Sequence, residues 1–132
     1  MAKVSASIGT EPYKTEIKSP TGNTIIADEP ADSGGKNLGF SPSELLAASL
    51  SACTSATLRM YADREGWDLK AVSLEVEVER DEEANKTYIH RSLKLTGNLD
   101  ESQRSRLLAI ANKCPIHKIL SNPIDIATNL AQ

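Results

Sequence analysis

Residues 41–67 read SPSELLAASLSACTSATLRMYADREGW, and no other stretch constrains the fold as tightly. Ser41 stands where an N-cap belongs and Pro42 at the first helical position, while Glu44, three residues after the serine, can close a capping box. The spacing predicts a helix from there to about Gly66. Between Leu45 and Met60 this helix is apolar or small on nearly every side, with Ala47, Ala48, Ser49, Ser51, Ala52 and Ala56 among its residues. Such a helix belongs in an interior, closely approached by other elements. A single thin layer of protein buries it poorly, so the pattern points to a partner subunit.

On the N-terminal side, Val4, Ala6 and Ile8 alternate with polar residues, as do Tyr13, Thr15 and Ile17, and a third run begins at Ile25 and Ile26. Turn residues at 9–12 and 19–23 separate these runs, which predicts a three-stranded meander. Residues 28–42, DEPADSGGKNLGFSP, read as a loop, and a loop of that length in a compact domain is more often functional than idle. On the C-terminal side, Val72, Leu74, Val76 and Val78 alternate with Ser73, Glu75, Glu77 and Glu79, the period of a half-buried strand. After the turn DEEANK, a second strand over Thr87–Thr96 turns Ile89, Leu93 and Leu95 inward, and Arg91 falls on the same row. Asp100 and Gln103 frame a helix to Asn112, Cys114-Pro115 opens a short one, and Ile124, Ile126, Thr128 and Leu130 alternate as a last strand. The expected fold is α+β in the order βββ-α-ββ-α-α-β, with antiparallel sheets around a long buried central helix in one domain, residues 1–132.

The 132 residues are 39% hydrophobic and 25% charged with a net charge of −3, values of a globular chain with an ordinary core. No segment offers the roughly 18 to 20 consecutive apolar residues of a membrane helix, and MAKVSAS lacks the pattern of a secretory signal. The expected location is the cytoplasm, with no membrane partner. Basic residues are dispersed, aromatics make up 4%, and no basic GxxG loop occurs, which argues against nucleic acid as a partner.

Two cysteines, Cys53 and Cys114, are the candidates for chemistry. Cytoplasmic conditions disfavour a permanent disulfide between them, so any pairing is expected to be transient. Cys114 precedes Pro115 at a helix start, with Lys113 before it and His117 three residues on, a setting that favours a thiolate but also suits a plain cap. Cys53 lies within LSACTSA, and taken alone it reads as core packing, where burial favours the neutral thiol. His90 and His117 are not spaced from the cysteines as zinc ligands are, and no metal is expected. Nucleophile-elbow, Walker and dinucleotide motifs are absent from the sequence, and Gly34-Gly35 is an isolated pair.

At the two cysteine segments, SPSELLAASLSACT around Cys53 and GNLDESQRSRLLAIANKCPIHKIL around Cys114, the chain resembles the OsmC/Ohr family of osmotically inducible and organic hydroperoxide resistance proteins. IADEP at 26–30 and RMYADREGW at 59–67 extend the resemblance to nearly the whole chain. The resemblance implies an intertwined homodimer with the site at its interface. It also implies a thiol peroxidase for organic hydroperoxides, with Cys53 peroxidatic, Cys114 resolving, no bound cofactor and an external dithiol, such as a lipoyl group, as reductant. In the best-known members an N-terminal arginine and a carboxylate hold the peroxidatic thiolate. Here no arginine precedes Arg59, the carboxylate position falls on Ser43, and Glu44 is better explained as part of the capping box. Arg91 is a candidate substitute for the arginine. A different class of function on the same fold is a redox-silent protein binding a small apolar ligand at the dimer interface.

Overall fold

Ser41 and Glu44 start the long helix by satisfying each other's backbone: the Glu44 N–H donates to Ser41 Oγ at 3.2 Å and the Ser41 N–H to Glu44 Oε1 at 2.8 Å. Helix α1 runs over Pro42–Glu65 and stops at Gly66, whose φ of 71° lies in the left-handed region that favours glycine. The computed structural model describes residues 1–131. Around α1 the chain order is β1 (Ser5–Ser7), β2 (Thr15–Lys18) and β3 (Thr24–Ala27) before it. After it come β4 (Asp68–Asp81), β5 (Lys86–Asn98), α2 (Glu101–Ala111) and α3 (Pro115–Leu120). This is the expected α+β fold with antiparallel sheets, and the chain divides into two compact units, Met1–Ala48 and Ser49–Gln132.

The first unit holds the meander, paired in the order β1-β2-β3 with Ile17 opposite Ile25. Its long loop is tied to one side chain. Asp28, only 2% exposed, accepts from the Tyr13 and Glu29 N–H groups on Oδ1 and from the Lys36 and Leu38 N–H groups on Oδ2, at 2.8 to 3.3 Å. Burial pushes this carboxyl up, but the four N–H donors outweigh it and hold it below the ordinary range. The loop also passes close to the strand: a Cβ on Gly39 would lie 2.0 Å from the Ile26 carbonyl oxygen.

In the second unit β4 and β5 form a long hairpin from Asp68↔Asn98 to Asp81↔Lys86, turning through Asn85 with φ 50°. Asp100 caps α2 by the expected box, accepting from the Gln103 N–H at 2.7 Å while Gln103 Oε1 accepts from the Asp100 N–H at 2.9 Å. The core gathers Leu58 and Ala62 of α1, Leu69 of β4, and Leu107, Ile110 and Ala111 of α2. Tyr61 and Trp67 flank it, their rings edge to face at 5.5 Å.

One expectation is made more specific and one is corrected. The buried residues of α1 are Leu50, Thr54, Leu58 and Ala62, a single i, i+4 stripe, while Leu46 and Met60 on other faces stay exposed. Within one chain the central helix is therefore covered along one side only. The last strand does not form: residues 123–131 are neither helix nor strand, with Ile124, Ile126 and Leu130 58%, 85% and 90% exposed. Alternation makes a strand only where a partner strand supplies hydrogen bonds, and the tail is paired with neither sheet.

Candidate active site

Cys114 ends the turn after α2 in an extended conformation and serves as the N-cap of α3, its sulfur accepting from the His117 N–H at 3.3 Å. Pro115 at the first helical position has no N–H to satisfy, which is why the segment folds this way. The Cys114 side chain is fully buried; Cys53, the residue before Thr54 on α1, is half-buried. Both are free thiols, and they lie near enough for each to alter the other's acidity, with the Ile116 N–H close to both sulfurs.

The two thiols differ in acidity. Burial pushes Cys53 up, the Ile116 N–H only partly offsets this, and the neighbouring Cys114 sulfur adds to the rise. Burial acts on Cys114 in the same sense, but the His117 N–H, the Cys53 thiol, the Thr54 hydroxyl and the Ile116 N–H outweigh it, and this thiol lies below its ordinary value. Of the two, Cys114 is the more acidic.

Thr54 is also fully buried. Its hydroxyl donates to the Leu50 carbonyl at 2.7 Å, sits 4.0 Å from Cys114 Sγ, and accepts from Arg91 Nη1 at 2.9 Å. The other arm of Arg91 donates to Asn112 Oδ1 at 2.9 Å and faces His117 Nδ1 at 3.3 Å. Beside this cluster lies a cavity of about 480 Å³, walled by Leu50, Ile89, Leu93, Leu108 and Leu120, with Arg91, Asn112 and His117 at its polar side.

The structure thus brings together Cys53, Cys114, His117 and Arg91. His90 points to the exposed row of β5, away from Arg91 and its partners, and Glu44 is engaged in the cap of α1. Among the described residues no three metal-ligating side chains converge. Sequence reading missed Thr54 and Asn112. The signal for both was Arg91 itself, since a cation on an inward row requires polar acceptors from whatever packs against it.

A family profile described as OsmC-like protein matches residues 34–129, a span that contains both cysteines. The chain belongs to the OsmC-like family. Solved relatives share its fold. One is the organic hydroperoxide resistance protein OhrB of Bacillus subtilis, at 25% identity and a TM-score of 0.65 over 95% of this chain and 93% of that one. A protein from Psychrobacter arcticus 273-4, proposed to be an osmotic stress induced and detoxification response protein, is 26% identical with a TM-score of 0.75 over 89% and 85%. An OsmC-like protein from Mycoplasma pneumoniae, 18% identical, reaches 0.77 over 91% and 86%. No curated protein matches the sequence. The OsmC-like family therefore includes hydroperoxide resistance proteins, and among the described residues of this member no helix is long and apolar enough to cross a membrane.

Proposed function

We propose that this protein is a cysteine-based hydroperoxide reductase that uses Cys53 and Cys114 as a redox pair on organic hydroperoxides. The observation that carries this reading is the nearness of two free thiols, a more accessible one on α1 and a buried one that caps α3. As the Cys53 sulfur attacks the outer peroxide oxygen, its proton passes to the Cys114 thiolate. The O–O bond breaks, Cys53 becomes a sulfenic acid, and the departing alkoxide takes a proton from Cys114 to leave as an alcohol. The Cys114 thiolate then attacks the Cys53 sulfur, closing a disulfide and releasing hydroxide, which is protonated to water. An external dithiol, of which a lipoyl group is one form, returns both thiols by exchange.

Apolar walls beside the cluster support a preference for alkyl hydroperoxides over hydrogen peroxide. Exposed Leu46, Met60, Leu108 and Ile119, with the uncovered apolar tail, support a homodimer as the working form. Sedimentation should find a dimer at micromolar concentration.

The deciding experiment follows peroxide consumption with a dithiol in wild type, Cys53→Ser and Cys114→Ser, with mass spectrometry of each. Cys53→Ser should abolish consumption, and Cys114→Ser should stall with sulfenic or higher oxides on Cys53. A wild type whose thiols survive modest peroxide excess would refute the enzyme and leave a ligand-binding protein on the same fold.

A further inference from the structure

We infer that Arg91 is a positioning residue for the cysteine pair: through the hydroxyl of Thr54 it supports Cys114 as a thiolate. This rests on the reading of Cys53 and Cys114 as a redox pair.

Arg91 stands opposite Val76 on the inward row of β5, between Ile89 and Leu93. Placing a guanidinium there carries a desolvation cost that must be offset by acceptors or an anion. Its acceptors are the Thr54 hydroxyl and the Asn112 carboxamide, and the His117 ring lies 3.3 Å from its Nη2. Among the described residues no carboxylate forms an ion pair with Arg91. The cluster therefore holds a cation without a carboxylate, and the acidic group its partners touch is the Cys114 thiol.

Thr54 makes the link directional. A hydroxyl has one proton and two lone pairs. With a lone pair occupied by Arg91 Nη1, the proton has two acceptors within reach, the Leu50 carbonyl at 2.7 Å and Cys114 Sγ at 4.0 Å. Arg91 polarises the O–H, and an anionic sulfur competes for that proton far better than a neutral thiol does. The charged and titratable groups facing Cys114 are Cys53 from α1, Arg91 of β5 by way of Thr54, and His117 from α3. Cys53 lacks this link: its own polar neighbours are the Ile116 N–H, Cys114 and the Thr57 hydroxyl. The link thus favours a thiolate at Cys114 and leaves Cys53 without the same support.

The test is thiolate absorbance against pH in a Cys53→Ser background, where Cys114 is the remaining thiol. Arg91→Met and Thr54→Val should each raise the titration midpoint by about one unit, a tenfold loss of thiolate at a fixed lower pH. The double variant should move it no further than either alone, because both cut the same link. Thr54→Ser, which keeps the hydroxyl, should restore the original midpoint. An unmoved midpoint in Arg91→Met overturns the inference, and so does a shift in Arg91→Met that Thr54→Val fails to reproduce. Should Arg91→Met not fold, as judged by circular dichroism, the Thr54→Val and Thr54→Ser pair decides, an unmoved Val midpoint being the overturning result. No peroxide enters the measurement, so an inactive wild type refutes the peroxidase and not the link.

Discussion

The two units of the chain are held together by different physics. Among the described residues the first unit buries only Ala27 and Asp28, whereas the second buries nine, from Leu50 to Cys114, and seven of these are hydrocarbon side chains. The first is fixed by strand ladders and by the four N–H groups that converge on Asp28, while Val4, Ile8, Ile25 and Phe40 remain about half exposed or more. The candidate site sits where the apolar packing is: Cys53, Thr54, Arg91 and Cys114 all lie in the second unit.

The sharpest way to break this contrast is Leu58→Ala, which empties the centre of the core and should cost about 2–5 kcal/mol. Trp67, the only tryptophan, packs on that core, so its fluorescence in urea reads the second unit directly. An unchanged midpoint would mean that the core does not govern that unit.

The next effect concerns Asp28→Asn, which puts an amide NH₂ where one carboxylate oxygen now faces two N–H donors. Amide exchange should speed up at one pair, Tyr13 and Glu29 or Lys36 and Leu38, with the second unit unaffected. The same carboxylate sets an acid limit. Because its folded pKa lies below its unfolded one, its stabilisation is full above the ordinary carboxylate range and is lost as pH falls through the lower folded value. The 28–38 loop should therefore gain exchange in acid before the Trp67 signal changes, and simultaneous loss would contradict separate support of the two units.

The smallest change is Asp100→Ala, which removes the acceptor for the Gln103 N–H and should cost about 1 kcal/mol, read by the same fluorescence midpoint. A loss comparable to that of Leu58→Ala would show that capping rather than burial dominates the second unit.

Local chemistry made much of this legible. Ser41 with Glu44 and Asp100 with Gln103 announce helix starts because a capping box is written within four residues, and the period-two runs of β4 and β5 announce a half-buried hairpin. The tail misled because Ile124, Ile126 and Leu130 have strand periodicity without a pairing edge. Helix α1 reads as buried all round, yet composition does not say how many chains do the burying. Of the site, both cysteines and the odd placement of Arg91 were visible. The Thr54 contact was not, since residues 37 apart leave no spacing pattern, and Asp28 was hidden in a loop read only as rich in Pro, Gly and Asp.

The peptide N–H groups of Ile116 and His117 end on the sulfurs, and this gives the backbone a record of electron count. A disulfide takes away the anionic acceptor in front of both amides at once, while a reducing dithiol returns it. The amide proton resonances of these two residues should therefore move together between two fixed positions as the pair is oxidised and reduced. Ordinary spectroscopy of the main chain then counts the redox cycle without a probe on either cysteine.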